Sequence, residues 1–263
     1  MKLLVFDVDG TLIGADLVFR KSTIDRLNDR LRKGDAIAIA SGRPGLMIKV
    51  FLEQLIPGKK FVIAANGAAV YDLDLHPLSI TGVEFADYVR FYHDHQNVVD
   101  LGADIYCYTL DKVGYLKYGS FIDFETGLNG IQSIDLSKFP LKPHDPLLKF
   151  MIAWEHPDWS KVHLSAEEKN SYSILRSDPR FLEFMNAKVD KASGVEALRL
   201  YLGLKKEDVY CFGDEGNDVK MIANYQGIAM GNGIPEAKKA AKFVTLSVQE
   251  DGVSYALQHF LKD

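Results

Sequence analysis

Asp7 and Asp9 stand two positions apart where an apolar run, residues 3–6, gives way to Gly10-Thr11. If that run is a strand, its two-residue period turns both carboxylates toward the same crevice. Gly10 lets the chain turn tightly, and the N–H groups that follow can cradle an anion. Two acids beside an anion cradle make a candidate site. The same residues also make an ordinary solvated acidic turn, so the pair alone does not decide between the two.

The pattern repeats. A second apolar run ends in Ser41-Gly42-Arg43, which offers a hydroxyl, a backbone amide and a cation. A third ends in Asn66-Gly67, and a later one in Gly213-Asp214-Glu215-Gly216-Asn217-Asp218. Ligands of open α/β sheets bind outside the carboxyl ends of the strands. Small polar, acidic and glycine residues at four strand ends of one sheet are the layout of a site.

The elements that must position them alternate. Residues 3–6, 36–40 and 61–65 are short apolar strands. Between them Ser22 is placed to cap a helix with Ile24, Leu27 and Leu31 on one face, ended by Gly34. Pro44 suits the first turn of a second helix, which Pro57 closes. The alternation returns near the end: a helix over 191–202, a strand at 209–212, a helix at 219–223 and a strand at 227–230. Pro235 then opens a helix, residues 243–246 form a strand, and a last helix carries Val253, Leu257 and Leu261. This predicts a doubly wound parallel sheet with a Rossmann-like core. Residues 83–185 differ, with more aromatics and mixed periodicities, and 105–108 with 115–118 resemble a hairpin around Asp111-Lys112. They are expected to form an inserted α+β cap domain, leaving 1–82 and 186–263 as the core.

Composition bounds the function. The 263 residues carry 31 basic and 36 acidic side chains, a net charge of −5. That balance argues against nucleic acid as a partner, which calls for a basic face. No apolar stretch approaches the roughly 20 residues of a membrane span. The N-terminal apolar run is too short for a signal peptide, and two distant cysteines, Cys107 and Cys211, fit a reducing cytoplasm. No obligate protein partner is evident.

The motifs closely resemble those of the haloacid dehalogenase superfamily. Asp7-x-Asp9-Gly10-Thr11 is similar to its first motif, Ser41 to the second, Lys191 to the third and Gly213-Asp214-x-x-Asn217-Asp218 to the fourth. The segment Ala229-Met230-Gly231-Asn232-Gly233, and Asp251-Gly252-Val253 near the C-terminus, resemble the Cof-type sugar-phosphatase branch, whose cap lies between the second and third motifs. Two departures are visible: Ala192 follows Lys191 where relatives often carry glycine, and Asn186-Ala187-Lys188 precedes it where proline is common.

The resemblance implies roles. Asp7 resembles the nucleophile that forms an acyl phosphate, and Asp9 the general acid and then base. Mg2+ would take the Asp7 carboxylate, the Asp9 backbone carbonyl and the Asp214 carboxylate. Ser41, the Gly42 amide and Lys191 would hold phosphoryl oxygens. Asn217 and Asp218 would orient that assembly, and Arg43 would touch substrate or the cap, or form a surface ion pair. The implied activity is hydrolysis of a small-molecule phosphate ester, with a phosphomutase or a non-catalytic binding protein as alternatives. His93 and His95 are expected on a solvated helix face, and the tyrosines 106, 108, 115 and 118 either pack across strands or line a substrate pocket.

Overall fold

The structure, a computed structural model, describes residues 1–261. The chain divides into two compact units, Met1–Ser79 with the chain from Asp190 onward, and Ile80–Val189. The first unit opens with β1 (Leu3–Phe6), α1 (Lys21–Arg32), β2 (Ala36–Ala40), α2 (Gly45–Leu52), β3 (Lys60–Ala64), β4 (Ala69–Asp72) and β5 (Pro77–Ile80).

The second unit contains β6 (Val83–Glu84), α3 (Phe85–Asp94), α4 (Gln96–Asp100), β7 (Asp104–Tyr108), β8 (Lys112–Tyr115), α5 (Ser120–Asn129), β9 (Gln132–Asp135), β10 (Pro146–Leu147), β11 (Lys149–Ala153), α6 (Ala166–Ser171), β12 (Tyr172–Asp178) and β13 (Phe181–Asn186). The first unit then resumes with α7 (Lys191–Tyr201), β14 (Val209–Gly213), α8 (Val219–Asn224), β15 (Gln226–Ala229), α9 (Pro235–Ala240), β16 (Phe243–Val244) and α10 (Gly252–His259).

Among the described residues the first unit's sheet has the order β16-β15-β14-β1-β2-β3-β4-β5. From β16 to β3 every neighbouring pair is parallel, and β4 returns antiparallel to β3. Parallel strands buried on both faces need continuous apolar sequence. LLVF in β1 and AIAIA in β2 supply it, and every one of these residues is buried. Leu3, Val5, Ala36, Ala38 and Cys211 face α7 and α8 in a core with Val195, Leu198 and Met221. The alternate residues face the opposite side, where α1 and α2 contact β2 and β3. The doubly wound parallel sheet read from the sequence is therefore present, and its carboxyl edge collects the ends of β1, β2, β3 and β14.

The second unit is a six-stranded sheet in the order β12-β13-β11-β7-β8-β9, antiparallel apart from the pair of β8 with β9. One face builds an aromatic core in which the Phe150 and Phe184 rings stack at 4.9 Å. The other carries a buried polar network. Glu125 accepts from the Tyr106 hydroxyl at 2.7 Å, from the Tyr108 hydroxyl, and from Asn129 Nδ2 at 2.8 Å. Lys149 pairs with Glu183 at 2.7 Å. Burying these charges is tolerable because each has a partner.

Several local expectations are corrected. The second hairpin strand spans Lys112–Tyr115 rather than 115–118, because Thr109 Oγ1 accepts from Lys112 N at 2.9 Å and closes the turn earlier. Ser22 does not cap α1; its hydroxyl donates to Asp251 instead. Strand β16 ends at Val244 and α10 at His259, so Leu246 and Leu261 lie beyond them. His93 is exposed, but His95 is buried, with Nε2 at 2.8 Å from Glu168 Oε1 and its ring against Phe91. Helix α3 ends there, which turns His95 inward. No helix among the described residues is long and apolar enough to cross a membrane.

Candidate active site

The ends of β1 and β14 lie side by side, since Phe6 pairs with Phe212 and Asp7 N donates to Phe212 O at 3.0 Å. The next residues on the two strands therefore bring Asp7 and the Gly213-Asp214 turn together. Gly10 then reverses the chain at φ +84°, with its N–H on Ile13 O at 2.8 Å. A Cβ there would fall 2.0 Å from Asp214 Oδ2, so no other residue fits at this approach.

Lys191 enters from the first turn of α7. Asp190 caps that helix by accepting from Ser193 N at 2.8 Å, and Ser193 Oγ accepts from Asp190 N at 3.0 Å. The turn Ala65-Asn66-Gly67 has three successive positive φ angles, 48°, 54° and 102°. It supports the helix from below: a Cβ on Gly67 would meet Asp190 O at 2.2 Å, so backbone packs directly on backbone. Ala192 fits in α7, buried in the core against the sheet.

The Lys191 ammonium is 1% exposed and lies 2.5 Å from Asp7 Oδ1 and 2.7 Å from Asp218 Oδ1. Asp218 Oδ2 accepts from Asp214 N and Glu215 N, both at 3.0 Å. Asp218 is thus saturated by lysine and backbone and acts as a fixed counter-charge. Asp214 has a different environment: Oδ1 accepts from Thr11 Oγ1 at 3.0 Å, and Oδ2 from Asn232 Nδ2 at 3.2 Å.

Oxygens of Asp7, Asp214 and Asp218 lie within 4.8 Å of one another, and all three residues are buried. One ammonium cannot balance three carboxylates, and the imbalance shows in their acidities. Burial raises Asp7 to about 7, with Lys191 opposing and Asp218 reinforcing the rise. Burial likewise raises Asp214 to about 6, against the Thr11 hydrogen bond. Burial alone would depress Lys191, but the charges of Asp7 and Asp218 outweigh it and raise it. A surplus of hard oxygen donors in a buried pocket fits a divalent cation such as Mg2+.

Asp9 stands outside this cluster. Its carboxylate is largely exposed and is gripped by Arg43, Nε at 3.0 Å and Nη2 at 2.6 Å. Ser41 is buried at the end of β2, and its Oγ accepts from Arg43 N at 3.3 Å. Gly42 sits against the Asn66 side chain, and Asn66 Oδ1 accepts from Asn217 Nδ2 at 3.1 Å. The Ser41-Gly42-Arg43, Asn66 and Asn217 segments are thereby joined.

Comparison with known proteins places the chain in a family. The sequence profile of the haloacid dehalogenase-like hydrolases matches residues 4–257. The chain belongs to that family. The Bacillus subtilis protein YxeH, provisionally named a phosphatase, is 29% identical, over 99% of this chain and 98% of its own. The 5-amino-6-(5-phospho-D-ribitylamino)uracil phosphatase YwtE of the same organism is 27% identical over 99% and 98%. A crystal structure of a haloacid dehalogenase-like hydrolase from Bacteroides thetaiotaomicron superposes with a TM-score of 0.81 at 26% identity, covering 99% of each chain.

In this haloacid dehalogenase-like hydrolase, two contributors to the site went unread in the sequence. Thr11 and Asn232 both stand inside motifs that resemble the family, yet nothing in the sequence marks either side chain for a partner. Asp251 proves to be a tie across the unit, accepting from Thr23 Oγ1 at 2.7 Å in a left-handed conformation at the start of α10.

Proposed function

We propose that the protein is a magnesium-dependent phosphatase that hydrolyses small phosphorylated metabolites, sugar phosphates and phosphorylated polyols among them, through an aspartyl-phosphate on Asp7. The observation that carries this reading is the buried Lys191 ammonium between Asp7 and Asp218, with Asp214 alongside. It leaves an electron-rich carboxylate fixed at the carboxyl edge of the sheet with surplus negative charge around it.

Asp7, the Asp9 carbonyl and Asp214 are assigned to Mg2+, which when bound supplies the positive charge that lets a carboxylate approach a phosphate. Asp7 attacks phosphorus while the bond to the leaving oxygen breaks, and Asp9 gives that oxygen its proton. Asp9 then takes a proton from water as the water attacks the acyl phosphate, which releases phosphate and restores Asp7. Ser41, the Gly42 amide and Lys191 hold the phosphoryl oxygens, and Asn217 and Asn66 brace that loop. Arg43 is assigned the orientation of the Asp9 carboxyl group. The inserted unit is assigned the choice of leaving group. YwtE is named for a phosphate on a ribityl chain, which favours polyhydroxylated esters. The buried thiols of Cys107 and Cys211 suit a reducing cytoplasm.

The test is release of inorganic phosphate from a panel of phosphorylated metabolites, with magnesium and with chelator. Release without a bisphosphate activator separates a phosphatase from a mutase. Asp7→Asn should lose turnover while staying folded, and beryllium fluoride should inhibit the wild type. Full activity in excess chelator, or about a tenth of activity surviving in Asp7→Asn, would refute the mechanism.

A further inference from the structure

Both oxygens of Asp214 are tied. Thr11 Oγ1 donates to Oδ1 at 3.0 Å, and Asn232 Nδ2 donates to Oδ2 at 3.2 Å. Asn232 is itself held at three points. The same amide donates to Gly10 O at 2.9 Å, and its Oδ1 accepts from Val248 N at 2.8 Å. Val248 is buried, and its loop is closed by the Ser247 and Glu250 hydrogen bonds and anchored through Asp251 to α1. Asn232 therefore connects the first-strand turn, the β14 turn and the C-terminal loop through one side chain.

A carboxylate bound by one hydrogen bond can swing. One bound on each oxygen, by residues of two different segments, cannot rotate without breaking one of the bonds. Magnesium accepts near-octahedral single-oxygen donors at short distance, whereas calcium tolerates a carboxylate that offers both oxygens in a larger shell. Groups that hold the ligands of a metal set its affinity by fixing their orientation.

We propose that Asn232, acting with Thr11, is a positioning residue that locks Asp214 into single-oxygen donation and thereby biases the site toward magnesium over calcium. This rests on the magnesium reading of the site, and it assigns to Asn232 a selectivity role. Asn232 itself is exposed, but its amide also accepts from Val248 N, so Asn232→Ala removes that bond along with the one to Asp214, and the melt in chelator reads the cost to folding apart from the cost to metal binding. Folding and positioning effects are therefore separable.

The experiment is calorimetric titration of the metal-free full chain with magnesium chloride and, separately, calcium chloride. Wild type, Asn232→Ala, Thr11→Val and Thr11→Ser are compared, each melted in chelator as a fold control. Asn232→Ala should weaken magnesium binding about 10- to 100-fold and calcium binding much less, so that the ratio of the two affinities narrows. Thr11→Val should do the same, and Thr11→Ser, which keeps the hydroxyl, should restore the ratio. A folded Asn232→Ala protein with the wild-type affinity ratio overturns the proposal, and so does one whose only change is a lower melting temperature in chelator. A wild-type protein that takes up no magnesium overturns instead the metal reading beneath it.

Discussion

Arg43 holds both carboxylate oxygens of Asp9, at 3.0 and 2.6 Å, in a two-pronged pair on the surface of the first unit. Such pairs contribute about 0–1 kcal/mol to stability when solvent reaches them, and the Asp9 side chain here is 57% exposed. Its fixed geometry matters more for where Asp9 points. Arg43→Ala should leave the melting temperature almost unchanged and lower kcat/KM about tenfold or more, as a misplaced proton donor does. A large fall in melting temperature with full activity would make the pair structural.

Lys191 is the one ammonium among three buried acids. Lys191→Met fills the same space but leaves Asp7 and Asp218 without their counter-charge. Breaking a buried pair from one side costs about 3–5 kcal/mol. Urea unfolding in chelator at pH 8 should show a loss of that size. At pH 5 the loss should shrink, because Asp7, raised to about 7, is then protonated. An equal loss at both pH values would show that lysine packing, not charge, is what the mutation removes.

The raised acidities also give the metal-free protein a pH dependence of fixed sign. Asp7 and Asp214 rise from an ordinary value of 3.8 to about 7 and about 6. The folded chain thus keeps protons that the unfolded chain has released, and stability falls as pH climbs from roughly 4 to 7. Magnesium should cancel that loss. The melting-temperature gain on adding magnesium should therefore be larger at pH 8 than at pH 5. A gain that is equal at the two values would place the ion away from Asp7 and Asp214.

Much of this site was readable because strand ends are readable. The apolar runs before Asp7, Ser41 and Asp214 are short, continuous and closed by glycine, so periodicity locates both the strand and the residue that leaves it. Lys191 was legible only through its resemblance to a motif, since nothing local marks a lysine for burial. Asn232 and Thr11 carry no such mark: their partner, Asp214, lies 18 residues from one and 203 from the other. The left-handed Ala65-Asn66 step was equally hidden, because alanine rarely adopts it and only the docking of α7 on Gly67 enforces it. In the second unit, Thr109 moved the hairpin and Glu168 drew His95 inward, each by a side-chain bond that spacing does not reveal.

Strand β1 lies between β2 and β14, and β14 begins only at Val209, beyond the whole inserted unit. During synthesis the chain therefore emerges with β1 paired on one edge and bare on the other. Ile80–Val189 is continuous and meets all its sheet partners first. The open edge, with LLVF beside it, is a site for misassociation until about 145 further residues have followed β3 out of the ribosome. Lys191 and Asp214 arrive in the same late segment, so Asp7 gains its counter-charge as β1 gains its second sheet partner. A chain truncated before α7 would lack both, and its failure would be aggregation rather than a weakened enzyme.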